Sequence, residues 1–321
     1  MPIVLQANTI VFNDGTTRSS AFGGNKAIFG FGSLSGISVT NITNLVSDTG
    51  VVALDKDGVG SIRYLLSAAS YGGDKAIFAF GVGSLSANRT NLVNNGGIIS
   101  ADIENTGVAS RDSSAGASYG GDKAIFGFGW VNGVGPTNIT TLVSNVGVLA
   151  ADVTYASANA RYGLAAAGYG GDKAIFGFGV NITNTGVRIT NLVSNVGVVA
   201  ANVTQAASAN ARYGLAAAGY GGDKAIFGFG YQDNFGVLRV TNLITNTGTV
   251  GSASTSVGTA RYYLAAAGFG GDKAIFGYGV ADYVGTVSMT NLISNTGVVA
   301  ADTTGVGTQR YGLAAASFRS G

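Results

Sequence analysis

The sequence predicts an all-β protein, and three observations carry that expectation. First, the segment Tyr220-Gly-Gly-Asp-Lys-Ala-Ile-Phe-Gly-Phe-Gly230 is written six times, with its double glycine at Gly23-Gly24, Gly72-Gly73, Gly120-Gly121, Gly170-Gly171, Gly221-Gly222 and Gly270-Gly271. Second, the steps between copies are 49, 48, 50, 51 and 49 residues, the regular period of a repeat architecture. Third, each copy alternates short apolar runs with glycine-bearing turns, and no run has helical length or spacing.

Each copy reads as four strands. Strand a is Arg212-Tyr-Gly-Leu-Ala-Ala-Ala-Gly-Tyr220, and Gly-Gly-Asp then supplies a hairpin turn, because glycine adopts positive φ without steric cost. Strand b follows as Lys224–Gly230 and strand c as Leu238–Thr245. A tight Asn-x-Gly turn, such as Asn195-Val-Gly197, leads into strand d, as in Val198–Ala201. Along strand b, period-two alternation puts Ala225, Phe227 and Phe229 on one face and Ile226, Gly228 and Gly230 on the other. Both faces are apolar, so each sheet must be covered on both sides. The glycines leave room for a neighbour's phenylalanine.

Six such sheets set radially make a six-bladed β-propeller of four-stranded antiparallel blades, which leaves only short edges. The alanine- and glycine-rich strand a suits the crowded axis. The chain ends with an extra copy of strand a, residues 310–317, expected to pair with strand b of the first blade (Lys26–Gly32) and close the ring. Thr16–Phe22, which aligns weakly with strand a, is the competing candidate for that place. Residues 1–22 stand outside the repeat: Leu5–Phe12 and Thr17–Phe22 flank Asn13-Asp-Gly15, the pattern of a hairpin or attachment arm. The propeller occupies 23–321, with units starting near 23, 72, 120, 170, 221 and 270.

With the repeat laid out, the chain resembles propellers of the kelch and galactose-oxidase type. Arg212 opening strand a and the Lys224–Gly230 run stand where that family has its arginine and its hydrophobic strand followed by glycine. Gly-Phe-Gly replaces the family's paired glycines, and its later Tyr/Trp pair is absent. The period is also compatible with propellers of the regulator-of-chromosome-condensation type. Separately, Ile10-Val-Phe-Asn-Asp-Gly-Thr-Thr-Arg-Ser-Ser-Ala21 and the Gly-Asp-Lys-Ala-Ile-Phe arrays resemble bacteriophage tail-fibre and appendage proteins. That resemblance implies a virion component made in the host cytoplasm, with other virion proteins as partners through the N-terminal segment.

Composition excludes several chemistries. With no cysteine and no histidine in 321 residues, a disulfide framework, a Cys/His zinc site and a histidine-based triad are all ruled out. A net charge of +2 with 11% charged residues gives no electrostatic case for nucleic acid. No stretch reaches eighteen consecutive apolar residues, so no membrane insertion is expected, and the N-terminus lacks the basic and apolar segments of a secretory signal. No cofactor or metal is expected. Homo-oligomerisation is left open.

Variation among the copies points to one end of the molecule. The a–b and c–d turns hardly change, whereas the b–c loops do: 33–38, 82–88, 130–136, 181–186, 231–236 and 281–285. The d–a loops vary too. In an up-and-down sheet both variable sets emerge on one face, and loops on a rigid scaffold are where binding usually resides. Candidate ligand-binding residues are therefore Trp130, Asn132, Tyr231, Asp233, Phe235, Asp282 and Tyr283, aromatic platforms with polar neighbours suited to a sugar ring.

An arginine also opens strand a in each copy: Arg63, Arg111, Arg161, Arg212, Arg261 and Arg310. Six guanidinium forks near the mouth of the axis would suit an anionic ligand. The competing reading is that each tethers the crossover between blades, with Asp55, Asp102, Asp152 and Asp302 as partners. Repeat packing alone would conserve such a residue in every copy. The Asp-Lys pairs of the a–b turns read as solvated turn residues.

Catalysis has little support. Glu104 is the only glutamate, the non-repeating aspartates are scattered, and the Ser-x-Asp-x-Gly-x-x-Trp motif of sialidases is absent. The expectation is thus a non-enzymatic phage appendage that recognises a cell-surface glycan. A structural virion decoration or connector is the first alternative, and a polysaccharide-degrading enzyme the second.

Overall fold

The computed structural model describes residues 25–35, 38–85 and 87–320, together with the backbone of three short strands, Val4–Gln6, Thr9–Val11 and Thr17–Ser19. It is all-β and dominated by antiparallel sheets, one per repeat. In the fourth unit the strands are a (Ala165–Tyr169), b (Lys173–Gly177), c (Ile189–Val193) and d (Val203–Thr204), hydrogen-bonded in that order. Units two, three and five share this arrangement. In units one and six the fourth strand is reduced to single bridges, Thr43 to Lys56 and Thr290 to Thr303. The C-terminal strand Ala314–Arg319 pairs with strand b of the first unit, from Ala314 opposite Gly30 to Arg319 opposite Asn25. Thr17–Ser19 pairs instead with Thr9–Val11.

Three expectations need correction. The stretch Leu5–Phe12 is not one strand: Val4–Gln6 turns back on Thr9–Val11, making a three-stranded meander with Thr17–Ser19. The Asn13-Asp-Gly15 turn and the first double glycine, Gly23-Gly24, lie outside the described residues.

Strand d is broken. Val199 alone bridges Val193, and the ladder resumes with Val203 opposite Thr190, so four residues on d span three on c. The buried Asn191 fills this bulge, its amide donating to the Ala200 carbonyl (2.9 Å) and to Asn202 Oδ1 (3.1 Å).

The third correction concerns strand b. Phe229 does not continue the alternation onto the face of Ala225 and Phe227. It packs with Ile226 against Ala274 and Phe276 of the next unit, while Ala225 and Phe227 pack against the unit before. The cause is a left-handed backbone: φ is +62° to +66° at Phe31, Phe80, Phe128, Phe178, Phe229 and Tyr278. A non-glycine residue held there costs on the order of 1–2 kcal/mol, so packing must repay it.

The repayment is an edge-to-face contact with the next unit's first phenylalanine. The pairs are Phe31–Phe78, Phe80–Phe126, Phe128–Phe176, Phe178–Phe227, Phe229–Phe276 and, returning to the first unit, Tyr278–Phe29, with centroids 5.1–5.5 Å apart. The preceding glycine makes this approach sterically accessible. A Cβ at Gly177 would lie 2.6 Å from Phe227 Cζ, and one at Gly277 would lie 2.8 Å from Phe29 Cζ. Unit two carries Ala79 at this position, and its Phe80–Phe126 pair is the widest, at 5.5 Å.

The a strands also lie side by side, each next to that of the following unit, with the C-terminal one beside Ser67–Tyr71. At their b–c end, one left-handed residue per unit joins its neighbours through the backbone. Ser113 N–H donates to Leu65 O, Gly163 to Ser113, Gly214 to Gly163, Tyr263 to Gly214, Gly312 to Tyr263 and Leu65 to Gly312, at 2.6–2.9 Å. These six bonds return to their starting residue.

Gly177→Ala is expected to be tolerated at small cost, as Ala79 is in unit two. Gly177→Val should lose roughly 1–3 kcal/mol by overpacking against Phe227, read as a lower urea midpoint at unchanged slope.

Candidate binding face

The site grows from a four-residue motif, Arg-Tyr-Gly-Leu in units one, four and five. In unit four, Arg161 and Tyr162 form a two-residue strand against Asn181 and Val180, at the base of the b–c connection. Alternation then sends consecutive side chains to opposite sides. The arginine is buried and the tyrosine half-exposed.

All six arginines are at most 3% exposed. Each stacks its guanidinium on the left-handed aromatic of the preceding unit, 4.1–4.6 Å from the ring centroid: Arg63 on Phe31, and so on to Arg310 on Tyr278. Its Nη2 donates to a buried polar residue on strand c of its own sheet. These acceptors are Asn44, Asn91, Asn191, Asn242 and Asn291, with Thr141 in unit three. Nη1 meets Asp102, Asp152 and Asp302 at 3.2–3.3 Å from Arg63, Arg111 and Arg261, and Asp55 at 3.9 Å from Arg310.

In units four and five the aspartate is missing. There Arg161 donates to the Asn159 carbonyl (3.2 Å), and Arg212 to those of Ala209 (2.8 Å) and Asn210 (3.2 Å). Burial pushes the guanidinium pKa down, to about 9 at Arg161 and Arg212 and about 10 at Arg63 and Arg261, which leaves all four cationic at neutral pH. The arginines are thus joints between units. They do not face an incoming anion.

What the motif presents to solvent is the residue after the arginine: Tyr64, Asp112, Tyr162, Tyr213, Tyr262 and Tyr311. Tyr263 adds a further ring from the hydrogen-bonded circuit. A continuous aromatic series results: Tyr213–Tyr231 (5.4 Å), Tyr231–Tyr262 (5.7 Å), Tyr262–Tyr263 (4.9 Å), Tyr263–Tyr311 (6.3 Å) and Tyr311–Tyr64 (6.2 Å). Trp130 and Tyr162 form a separate pair at 5.1 Å. Burial, with nearby Asp233 and neighbouring tyrosines, pushes the Tyr213 hydroxyl up to about 12, so it remains a neutral donor.

Of the residues singled out from sequence, Trp130 and Tyr231 join this surface. Asp233 reaches across to the adjacent b–c loop, accepting the Gly186 N–H at 2.8 Å. Asn132, Phe235, Asp282 and Tyr283 stand exposed near the hairpin tips, with Phe235 at 76%. The structure therefore divides the set between a belt and the hairpins above it. The motif tyrosines escaped notice although the sequence carried their signal, a tyrosine after the arginine in five of six copies.

The opposite end behaves as turn chemistry. Asp122, Asp172 and Asp223 each accept from the c–d turn asparagine of their own unit at 3.0–3.1 Å. Lys75, Lys123, Lys173 and Lys273 each pair with the preceding aspartate.

No protein-family model matches the chain, and no curated protein matches it.

Arg212→Met should destabilise the protein by roughly 2–3 kcal/mol, the size expected when a charged hydrogen bond goes and Asn242 is left unsatisfied, measured by chemical denaturation. Acid sensitivity follows from Asp55, Asp102 and Asp302. Burial acts to raise their pKa, but hydrogen bonds from Thr308 and Asn44, Ser61 and Asn91, and Thr259 and Asn291, together with the facing arginines, outweigh it and hold all three low. Their stabilisation is complete above the unfolded value of about 3.9 and is lost as pH falls through the lowered folded values. Melting temperature against pH should show that loss, with a shallower acid limb in Asp102→Asn.

Proposed function

We propose that the six sheets close into a six-bladed β-propeller, and that this is a non-enzymatic recognition module of a bacteriophage virion appendage, binding a host cell-surface glycan on its b–c face. Closure is supported by four circuits that each return from the last unit to the first: the aromatic pairs, the arginine stacks, the pairing of the C-terminal strand and the six backbone hydrogen bonds.

The observation that carries the recognition reading is the belt of half-exposed tyrosines. Seven tyrosines and a tryptophan held open to solvent are costly unless something covers them, and flat rings edged by hydroxyls suit the apolar faces and polar rims of sugars. The phage assignment rests on the resemblance of residues 10–21. Attachment to other virion proteins through the N-terminal strands belongs to the same reading.

A connector role is the second reading. It is favoured by exposed valines at the c–d turns, Val146, Val196 and Val298, at the end away from the belt.

A glycan array and host-cell adsorption assay test the proposal. Binding is expected, and Tyr262→Ala should weaken it about tenfold, near 1.4 kcal/mol, without changing the melting temperature. Failure to bind any glycan or cell, with assembly lost on changing the c–d valines to serine, would establish the connector instead.

A further inference from the structure

The third unit is the one that departs from the motif at its tyrosine and its leucine, both of which the other five units keep. Arg111-Asp112-Ser113-Ser114 stands in place of Arg-Tyr-Gly-Leu, so the belt loses one tyrosine and gains a carboxylate. Asp112 is fixed by two backbone hydrogen bonds to Trp130, its N–H to the Trp130 carbonyl at 3.0 Å and the Trp130 N–H to its own carbonyl at 2.8 Å. Ser113 Oγ donates to Oδ1 at 2.8 Å, and no other hydrogen bond or ion pair to the Asp112 side chain is present among the described residues.

Tyr64, Tyr162 and Tyr263 lie close enough to feel this charge. Ser114 replaces a leucine in the ring of side chains, Leu66, Leu164, Leu215, Leu264 and Leu313, around a 70 Å³ cavity shared by all six units. The Ser114 hydroxyl is already taken by Ser67 Oγ at 2.6 Å, which leaves the second carboxylate oxygen of Asp112 as the acceptor without a partner here.

Resting on the recognition reading above, we infer that this notch is the principal subsite of the face and takes an uncharged sugar. Two adjacent hydroxyls donate to the Asp112 carboxylate while the ring lies against Trp130 or Tyr64. A carboxylate acceptor with a free oxygen matches a vicinal diol, because bonds to an ionised acceptor are the strong ones. Asp233, near Tyr162 and Tyr213, adds a second negative charge, and Asp282 a third beside Tyr262. With the six arginines buried, uronic and sulfated glycans are repelled.

Burial holds the Asp112 carboxyl above the usual carboxylate range. Tyr64, Tyr162 and Tyr263 are the titratable groups around it, and all three remain protonated where it ionises. Affinity should therefore rise with pH as Asp112 loses its proton.

The test is calorimetric titration of the best array hit into the wild type, Asp112→Asn, Asp112→Tyr and Tyr213→Ala, with melting curves as folding controls. We expect a neutral glycan to bind best, Asp112→Asn to weaken it about tenfold and abolish the pH dependence, and Asp112→Tyr to remove binding by filling the notch with the consensus residue. If both Asp112 variants bind as the wild type while Tyr213→Ala does not, the notch is not the subsite although the face still binds. A preference for acidic glycans would overturn the selectivity, and a wild type that binds no glycan would overturn both readings.

Discussion

The structure depends on a buried arginine laid on an aromatic ring that belongs to the unit before it. Each half of that contact is unfavourable alone. A guanidinium with almost no solvent contact loses hydration, and a phenylalanine at φ near +64° is sterically strained. Brought together they compensate: a desolvated cation gains most from a ring face, worth about 2 kcal/mol or more when water is excluded. In five of the six units Nη2 donates to an asparagine that also spans the break in strand d. One polar knot thus ties strand a to strand c within a sheet and the whole sheet to its predecessor.

The persistence of the arginine where the aspartate is absent follows from this division of labour. The aspartate serves Nη1, and loop carbonyls take its place beside Arg161 and Arg212. Nothing else in the motif replaces the stacking on the ring or the bond to the strand c asparagine. The ion pair is the dispensable part, consistent with the modest net gain of buried pairs in general.

Apolar packing between units follows the same one-directional logic. A glycine on one sheet receives the phenylalanine of the next, and every hydrophobic cluster spans two neighbouring units. Stability in such a repeat is a sum over interfaces. The contacts of the last unit with the first, Tyr278 against Phe29 and Arg310 over the Tyr278 ring, add one more interface of the same kind. The same packing recurs from unit to unit while the b–c end carries hairpins of differing sequence and half-exposed tyrosines.

Much of this was legible in the amino-acid order. The period, the two constant turns, the pairing partner of the C-terminal strand and the glycine-for-phenylalanine fit all follow from spacing and side-chain size, which are local properties. Strand d's break, the side taken by Phe229 and the burial of the arginines were not legible. Alternation assumes an unbroken extended backbone, and one left-handed residue reverses it. Which of two adjacent residues, Arg161 or Tyr162, goes to solvent is decided by whether a ring of the preceding unit and an asparagine on strand c of the same sheet meet it at that height. Those partners are distant in sequence and the ring belongs to another unit, so only the assembled tertiary structure settles which residue is covered and which is left to solvent.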